Sequence, residues 1–321
     1  MKKLLRSAMC LTVLSMGLKG LLFAQDNSVL ASAKQSYNGI KQLVVKGRFC
    51  DVYLSATEGK NKVDFQGEIT GKTKMIGNVQ NTIQIRQEQR GDVLEVWVEG
   101  EFVASGIGWN NINGKLLFDL PQDIVVRVDN SSGDVRLRGL KSNQKCELET
   151  SSGDIVAESV EANLRVVASS GDIEINDLIG DLDVRTSSGD QNVRNVKGNL
   201  YCVASSGDVG MDRIEGTLNV TASSGDLSLD DVKGNITLRT SSGDITGRAV
   251  VLTSEAQIDT TSGEVRLSFK NMMNDLSFDL KTSSGNLRVG KESGGKRYLL
   301  KQGAVNVRGI STSGDQTYHA E

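Results

Sequence analysis

The chain has 321 residues, 37 of them basic and 40 acidic, for a formal net charge of −3. Charges of both signs are intermixed, which leaves no electrostatic footprint for nucleic acid and excludes that partner class. One proline against 35 glycines, with 4% aromatic residues, points to long arrays of hydrogen-bonded strands, since proline cannot donate to a ladder.

In chain order the first element is a targeting segment. Lys2, Lys3 and Arg6 precede an apolar run over residues 7–18, and "LLFAQ" offers a cut after Ala24. This pattern predicts a secretory signal peptide over residues 1–24, too short to remain as a membrane span. A buried N-terminal helix is the competing reading. Met9 before Cys10, and the apolar run after it, argue against a lipid anchor there. No later stretch reaches the roughly 18 apolar residues of a transmembrane helix. The expected location is therefore extracytoplasmic: periplasm, cell surface or medium.

Residues 25–120 alternate in strand-like fashion, as in "KQLVVKGRFCDVYLSATEGKNKVDFQGEI" and "NTIQIRQEQRGDVLEVWVEGEF". They read as an N-terminal β region that runs into the following array and caps its open edge. A separate domain is the alternative. Trp97 reads as strand core and Trp109 as loop packing.

Residues 121–321 carry a repeat. Ser-Ser-Gly-Asp recurs with glycines at Gly133, Gly153, Gly171, Gly189, Gly207, Gly225 and Gly243, and degenerate copies end at Glu264, Asn286 and Asp315. From Gly153 to Gly243 the spacing is 18 throughout, and it stretches to 20, 22 and 29 outside that stretch. In the unit "LRVVASSGDIEINDLIGD", apolar residues alternate at Leu164 and Val166, then at Ile173 and Ile175, with Leu178 beyond. Period-two alternation on both sides of the tetrad means two short strands, each with one buried face. The tetrad is the turn between them: glycine supplies a positive φ, while Ser and Asp bond nearby backbone. A second glycine, as at Gly180 and Gly198, marks another corner.

Such units could stack as hairpins or wind as a solenoid. Only a solenoid places successive tetrads above one another, about 4.8 Å apart, where identical residues form ladders. A left-handed hexapeptide helix fails, because six and twelve steps from Leu164 reach Ser170 and Asn176. The predicted fold is all-β, a single-stranded parallel β-helix with coils of about 18 residues. Its expected hand is right, the default for parallel crossovers. Cys146 and Cys202 then lie about 14 Å apart by strand spacing, beyond disulfide reach. All remaining thiols, Cys50 included, are expected to stay unpaired.

The sharpest chemical feature is the row Asp154, Asp172, Asp190, Asp208, Asp226 and Asp244. Neighbouring carboxylates at rung spacing repel by about 1 kcal/mol even in water, so something must offset them. Backbone N–H groups and serine hydroxyls are the structural answer. A row of bridging calcium ions is the functional one, although the dense glycine-aspartate nonapeptide of calcium solenoids is absent. No catalytic residue and no cofactor site is assigned. The only histidine, His319, would need its tail folded onto the rod to join a serine triad. Outward positions form mixed rows: Arg165, Asp183, Tyr201, Asn219 and Thr237 in one, Arg185, Thr221 and Arg239 in another.

The tandem "SSGD[IVL]x[IVL]" units after "LPQDIVVRVDNSSGDVRLRGL" resemble the bacterial putative-adhesin β-helix family, a domain of unknown function. The resemblance covers about residues 40–315. It implies a β-helix on an extracytoplasmic bacterial protein and carries over no catalytic residue. The expected function is a non-catalytic envelope protein, an adhesin or scaffold, with an unidentified protein or glycan as partner. The alternative is a carbohydrate-active β-helix enzyme, which would need carboxylates, basic residues and an exposed aromatic in one groove.

Overall fold

The computed structural model describes residues 28–71, 83–100 and 112–321. The expected signal peptide and Trp109 lie outside the described residues.

Each central repeat gives one strand to each of two parallel stacks. Leu164–Ser170, Leu182–Ser188, Leu200–Ser206 and Leu218–Ser224 build the first. Their inward residues line up rung by rung: Leu164, Leu182, Leu200, Leu218 and Ile236 share one row. Ile155–Glu161, Ile173–Ile179, Gln191–Lys197 and Val209–Glu215 build the second stack in the same way. The inward rows are mostly Leu, Ile and Val, joined by alanines, Thr186, Gln191, Cys202 and Met211, all at 0–5% exposure. They form one continuous core, each Leu, Ile or Val side chain contributing about 1.5–3 kcal/mol. The chain is thus a β-solenoid.

Alternation breaks at a fixed place in the second strand. After Ile173 and Ile175 the next buried residue is Leu178, because Asp177 takes φ +58° and turns the strand. Ser159, Asn195, Arg213, Asp231 and Ala249 occupy the same left-handed conformation. Asn and Asp tolerate it, whereas most L-residues lose about 1–2 kcal/mol there. Ala249→Gly should therefore stabilise the fold by about 0.5–1 kcal/mol, after the entropy glycine adds to the unfolded chain. A rise in the urea midpoint at constant m-value is the readout.

Both ends depart from simple winding. Gln42–Arg48 pairs with Val125–Asn130 on one side and Val93–Glu99 on the other. Asp51–Thr57 likewise lies between Val135–Arg138 and Ile112–Pro121. Antiparallel strands close this end: Lys62–Gly71 on Ile112–Pro121, Ser28–Asn38 on Lys62–Gly71, and Gln84–Arg90 on Val93–Glu99.

At the other end Val305–Ser313 inserts between residues 255–262 and Leu276–Ser284. Gln316–Ala320 inserts between Val265–Phe269 and Leu287–Val289. The outermost turn is therefore built from residues 276–300, edged by the antiparallel strands Glu292–Gly294 and Arg297–Leu300. Residues 297–300 lie at the edge, while Val305–Ile310 lies one rung inside it.

Candidate functional site

The tetrad corners stack into a ladder of hydrogen bonds. The backbone N–H of Asp172 donates to Asp154 Oδ1 at 2.9 Å, that of Asp190 to Asp172 at 2.8 Å, and that of Asp208 to Asp190 at 2.8 Å. Asp226 on Asp208, Asp244 on Asp226 and Glu264 on Asp244 continue it at 2.8, 2.8 and 2.7 Å. Each carboxylate thus meets an amide of the next rung, a charge-assisted contact of about 1.5–3 kcal/mol that outweighs its repulsion from its neighbour. Among the described residues no group of three or more His, Cys, Asp or Glu side chains is placed to hold a metal ion.

Glycine is demanded here chiefly by room. A Cβ on Gly171 would sit 2.1 Å from the carbonyl oxygen of Gly153, and one on Gly153 would sit 2.2 Å from that of Gly133. Neither Gly153 nor Gly171 takes a left-handed φ, so close stacking of backbone on backbone, rather than torsion, excludes a side chain at those corners.

A second ladder, unannounced by the tetrad, runs along another corner. The N–H of Asp181 donates to Asn163 Oδ1 at 2.9 Å, that of Asn199 to Asp181 Oδ1 at 2.9 Å, and that of Thr217 to Asn199 Oδ1 at 3.2 Å. Its sequence signal is the Asn or Asp one residue after Gly180, Gly198 and Gly234.

On the outward face of the first stack one row reads Arg127, Glu147, Arg165, Asp183, Tyr201, Asn219, Thr237. Its charged half is paired along the rod. Arg165 reaches Asp183 at 3.3 Å and Glu149 at 3.5 Å, and Arg127 lies 3.9 Å from Glu147. Arg185 donates to Asp183 at 2.9 Å and places its guanidinium carbon 5.3 Å from the Tyr201 ring centroid. Arg239 pairs with Asp259 at 3.3 Å, and Thr221 stands between the Arg185 and Arg239 rungs. Beside Tyr201 a shallow depression of about 310 Å³ lies against the second ladder. A wider trough of about 550 Å³ crosses the other stack where Gly210 and Ser228 leave the surface low. Its basic walls are paired, Arg248 with Asp230 at 2.6 Å and Arg194 with Glu174 at 3.2 Å.

The other singled-out residues are quickly placed. His319 does lie on the rod, in register with Ser268, but no hydrogen bond joins the two side chains. Trp97 is not core: Leu94, Val96 and Val98 point inward, and alternation turns Trp97 to the half-buried outer face. Cys50, Cys146 and Cys202 are buried and unpaired. Burial, aided by the Asp51 charge, pushes the Cys50 thiol up to about 12, and burial raises Cys146 and Cys202 as well. Because the thiolate is the reactive form, these three thiols should resist a disulfide-exchange reagent at pH 8. They should react within minutes in 6 M guanidinium, read as released chromophore.

Stacked corners, continuous inward rows and paired outer rows define an all-β parallel solenoid. The chain belongs to the Toastrack DUF4097 family, whose profile matches residues 40–230 and 178–318. No curated protein is detectably similar. Three solved structures, each 12% identical, share the general likeness. A "putative cell adhesion protein" from Clostridium sporogenes covers 92% of this chain and 100% of its own at a TM-score of 0.25. A "putative lipid binding protein" from Parabacteroides distasonis covers 88% and 96% at 0.38. A "putative adhesin" from Bacteroides fragilis covers 94% and 100% at 0.29.

Proposed function

We propose that this chain is an exported envelope solenoid that acts by surface contact, as an adhesin or scaffold, and performs no catalysis. The reading includes removal of residues 1–24, an extracytoplasmic location, and right-handed winding at about 18 residues per coil. The observation that supports it is the outer face of the first stack. Its charges are matched rung by rung, so the side chains are ordered before any partner arrives, and a preordered face loses less entropy on binding. Solenoids commonly bind through such broad faces. Among the described residues no helix is long and apolar enough to cross a membrane.

The carbohydrate-active alternative draws on the Tyr201 depression, where an exposed aromatic meets Asp181 and Asp183. Both carboxylates are engaged, Asp181 by the Asn199 N–H and Asp183 by Arg165 and Arg185. A glycosidase needs one carboxyl free to donate a proton and its partner free to act as base or nucleophile, so the depression favours binding over bond cleavage.

The same reasoning assigns no cofactor. With the tetrad carboxylates held by backbone amides, the melting temperature should be equal in EDTA and in millimolar calcium. A calcium-dependent rise of several degrees would restore the ion ladder.

Protease treatment of intact cells, followed by fractionation with an antibody to the mature chain, tests the main reading. Loss of the protein from intact cells, with binding of the purified chain to cell surfaces, is the expected result. Protection until the envelope is breached overturns the adhesin role.

A further inference from the structure

We propose that the depression beside Tyr201 is a binding site for a neutral, hydroxyl-rich glycan, whose pyranose rings stack on Tyr201 and bond to the Asn163–Asp181–Asn199 corner. The proposal deepens the surface-contact reading and rests on it.

The outer row changes character at Tyr201. Up to Asp183 it alternates charge, and beyond Tyr201 it continues through Asn219, Thr237 and Gln257, all uncharged hydrogen-bonding side chains in register. Tyr201, at 43% exposure, is the one aromatic among the exposed large hydrophobic side chains of the described residues. Its ring is held by Arg185, whose guanidinium is fixed in turn by two hydrogen bonds to Asp183, at 2.9 and 3.3 Å. A fixed ring with an exposed remainder is a stacking platform for the C–H face of a sugar.

The rim beside it is also preset. Asn163, Asp181 and Asn199 line the depression together with Lys145 and Asn219. In the ladder Asn163 and Asn199 each use only Oδ1, and Asp181 uses one oxygen. The two amide NH2 groups, two rungs apart, and the second Asp181 oxygen between them belong to exposed side chains, spaced at successive intervals of about 4.8 Å. Planar donors and acceptors at a fixed interval suit the hydroxyl pairs of successive sugar rings. A little apolar surface with a few convergent polar groups is the usual make-up of a small-molecule site. Charge selects against an ionic ligand: Asp183 is compensated by Arg165 and Arg185, and Lys145 stands on the same rim as Asp181.

The test is affinity electrophoresis of the mature chain in gels containing laminarin, xylan, glucomannan, α-mannan or dextran, with alginate as the charged probe. Retardation by at least one neutral polysaccharide is expected. Tyr201→Ala should weaken it about tenfold, equal to about 1.4 kcal/mol, at unchanged melting temperature, and Asn199→Ala severalfold, with a small fall in melting temperature because the Thr217 N–H loses its acceptor. Arg248→Ala, on the opposite stack, should bind as the parent does. The proposal is overturned by retardation in alginate alone, by equal binding of Tyr201→Ala, or by no retardation in any neutral gel. If the purified chain still binds cell surfaces in that last case, and the binding is destroyed by protease rather than by periodate, surface contact stands and only the glycan site falls.

Discussion

Gly207→Ala should yield no stably folded protein at 37 °C. The added methyl would lie 2.2 Å from the carbonyl oxygen of Gly189 and 2.7 Å from its carbonyl carbon. The obstacle is backbone, locked into the adjoining rung by the Asp208 N–H to Asp190 bond. Gly207 also holds φ +119°, which an L-residue rarely adopts. Relief would require parting two rungs, which breaks the ladder on both sides of the corner. The cost should exceed about 4 kcal/mol, the range reserved for a small set of severe mechanisms. Gly295→Ala is the control, since a methyl there would meet nothing within 4 Å. Loss of the β circular-dichroism signal in Gly207→Ala, with Gly295→Ala unchanged, is the expected pair of results. Soluble Gly207→Ala with a parent-like melting temperature would mean that the corners do not stack so closely.

Tyr318→Ala should lower stability by about 3–5 kcal/mol, as for other large-to-small core changes. Tyr318 is fully buried, with Phe269 at 6.1 Å on one side and Phe278 at 5.8 Å on the other, centroid to centroid. Those two rings belong to rungs separated by the inserted strands Val305–Ser313 and Gln316–Ala320. Truncation therefore removes the aromatic contact that bridges them as well as apolar area. Limited trypsin digestion should release fragments from residues 296–321 of Tyr318→Ala under conditions that leave the parent intact. Tyr318→Phe keeps the ring but removes the hydroxyl that donates to Gln316 Oε1 at 3.0 Å. An unmet buried acceptor costs about 1–3 kcal/mol, so this variant should fall between parent and Tyr318→Ala.

The repeat is legible in the sequence because a period-two pattern and a recurring corner leave few ways to bury both strands. The buried thiols follow from the same geometry. Other features are not legible, each for a physical reason. Asp177 and Ala249 share a left-handed conformation without sharing a residue type, and only the three-residue step from Ile175 to Leu178 betrays the corner. The close stacking that forbids a side chain at Gly171 depends on a neighbour 18 residues away, so a turn signal alone suggests torsion instead. The C-terminal end misleads because its stacking order departs from chain order. The widened spacings of 22 and 29 between Gly263, Gly285 and Gly314 are the trace of that rearrangement. Tyr201 is visible as one member of a mixed row. Its setting is not, since it depends on Arg185 and on the Asn163–Asp181–Asn199 corner brought beside it.

The inserted rung also sets the order in which the protein can be finished. Residues 276–300 leave the ribosome before residues 305–320, yet their final neighbour is the later segment. The Gly285 corner stacks on Gly314, and Gly314 on Gly263, so the outermost turn takes its native place only once the last residues are in position. Winding at this end is therefore a closing step in time, separate from the residue-by-residue growth that the middle of the solenoid permits.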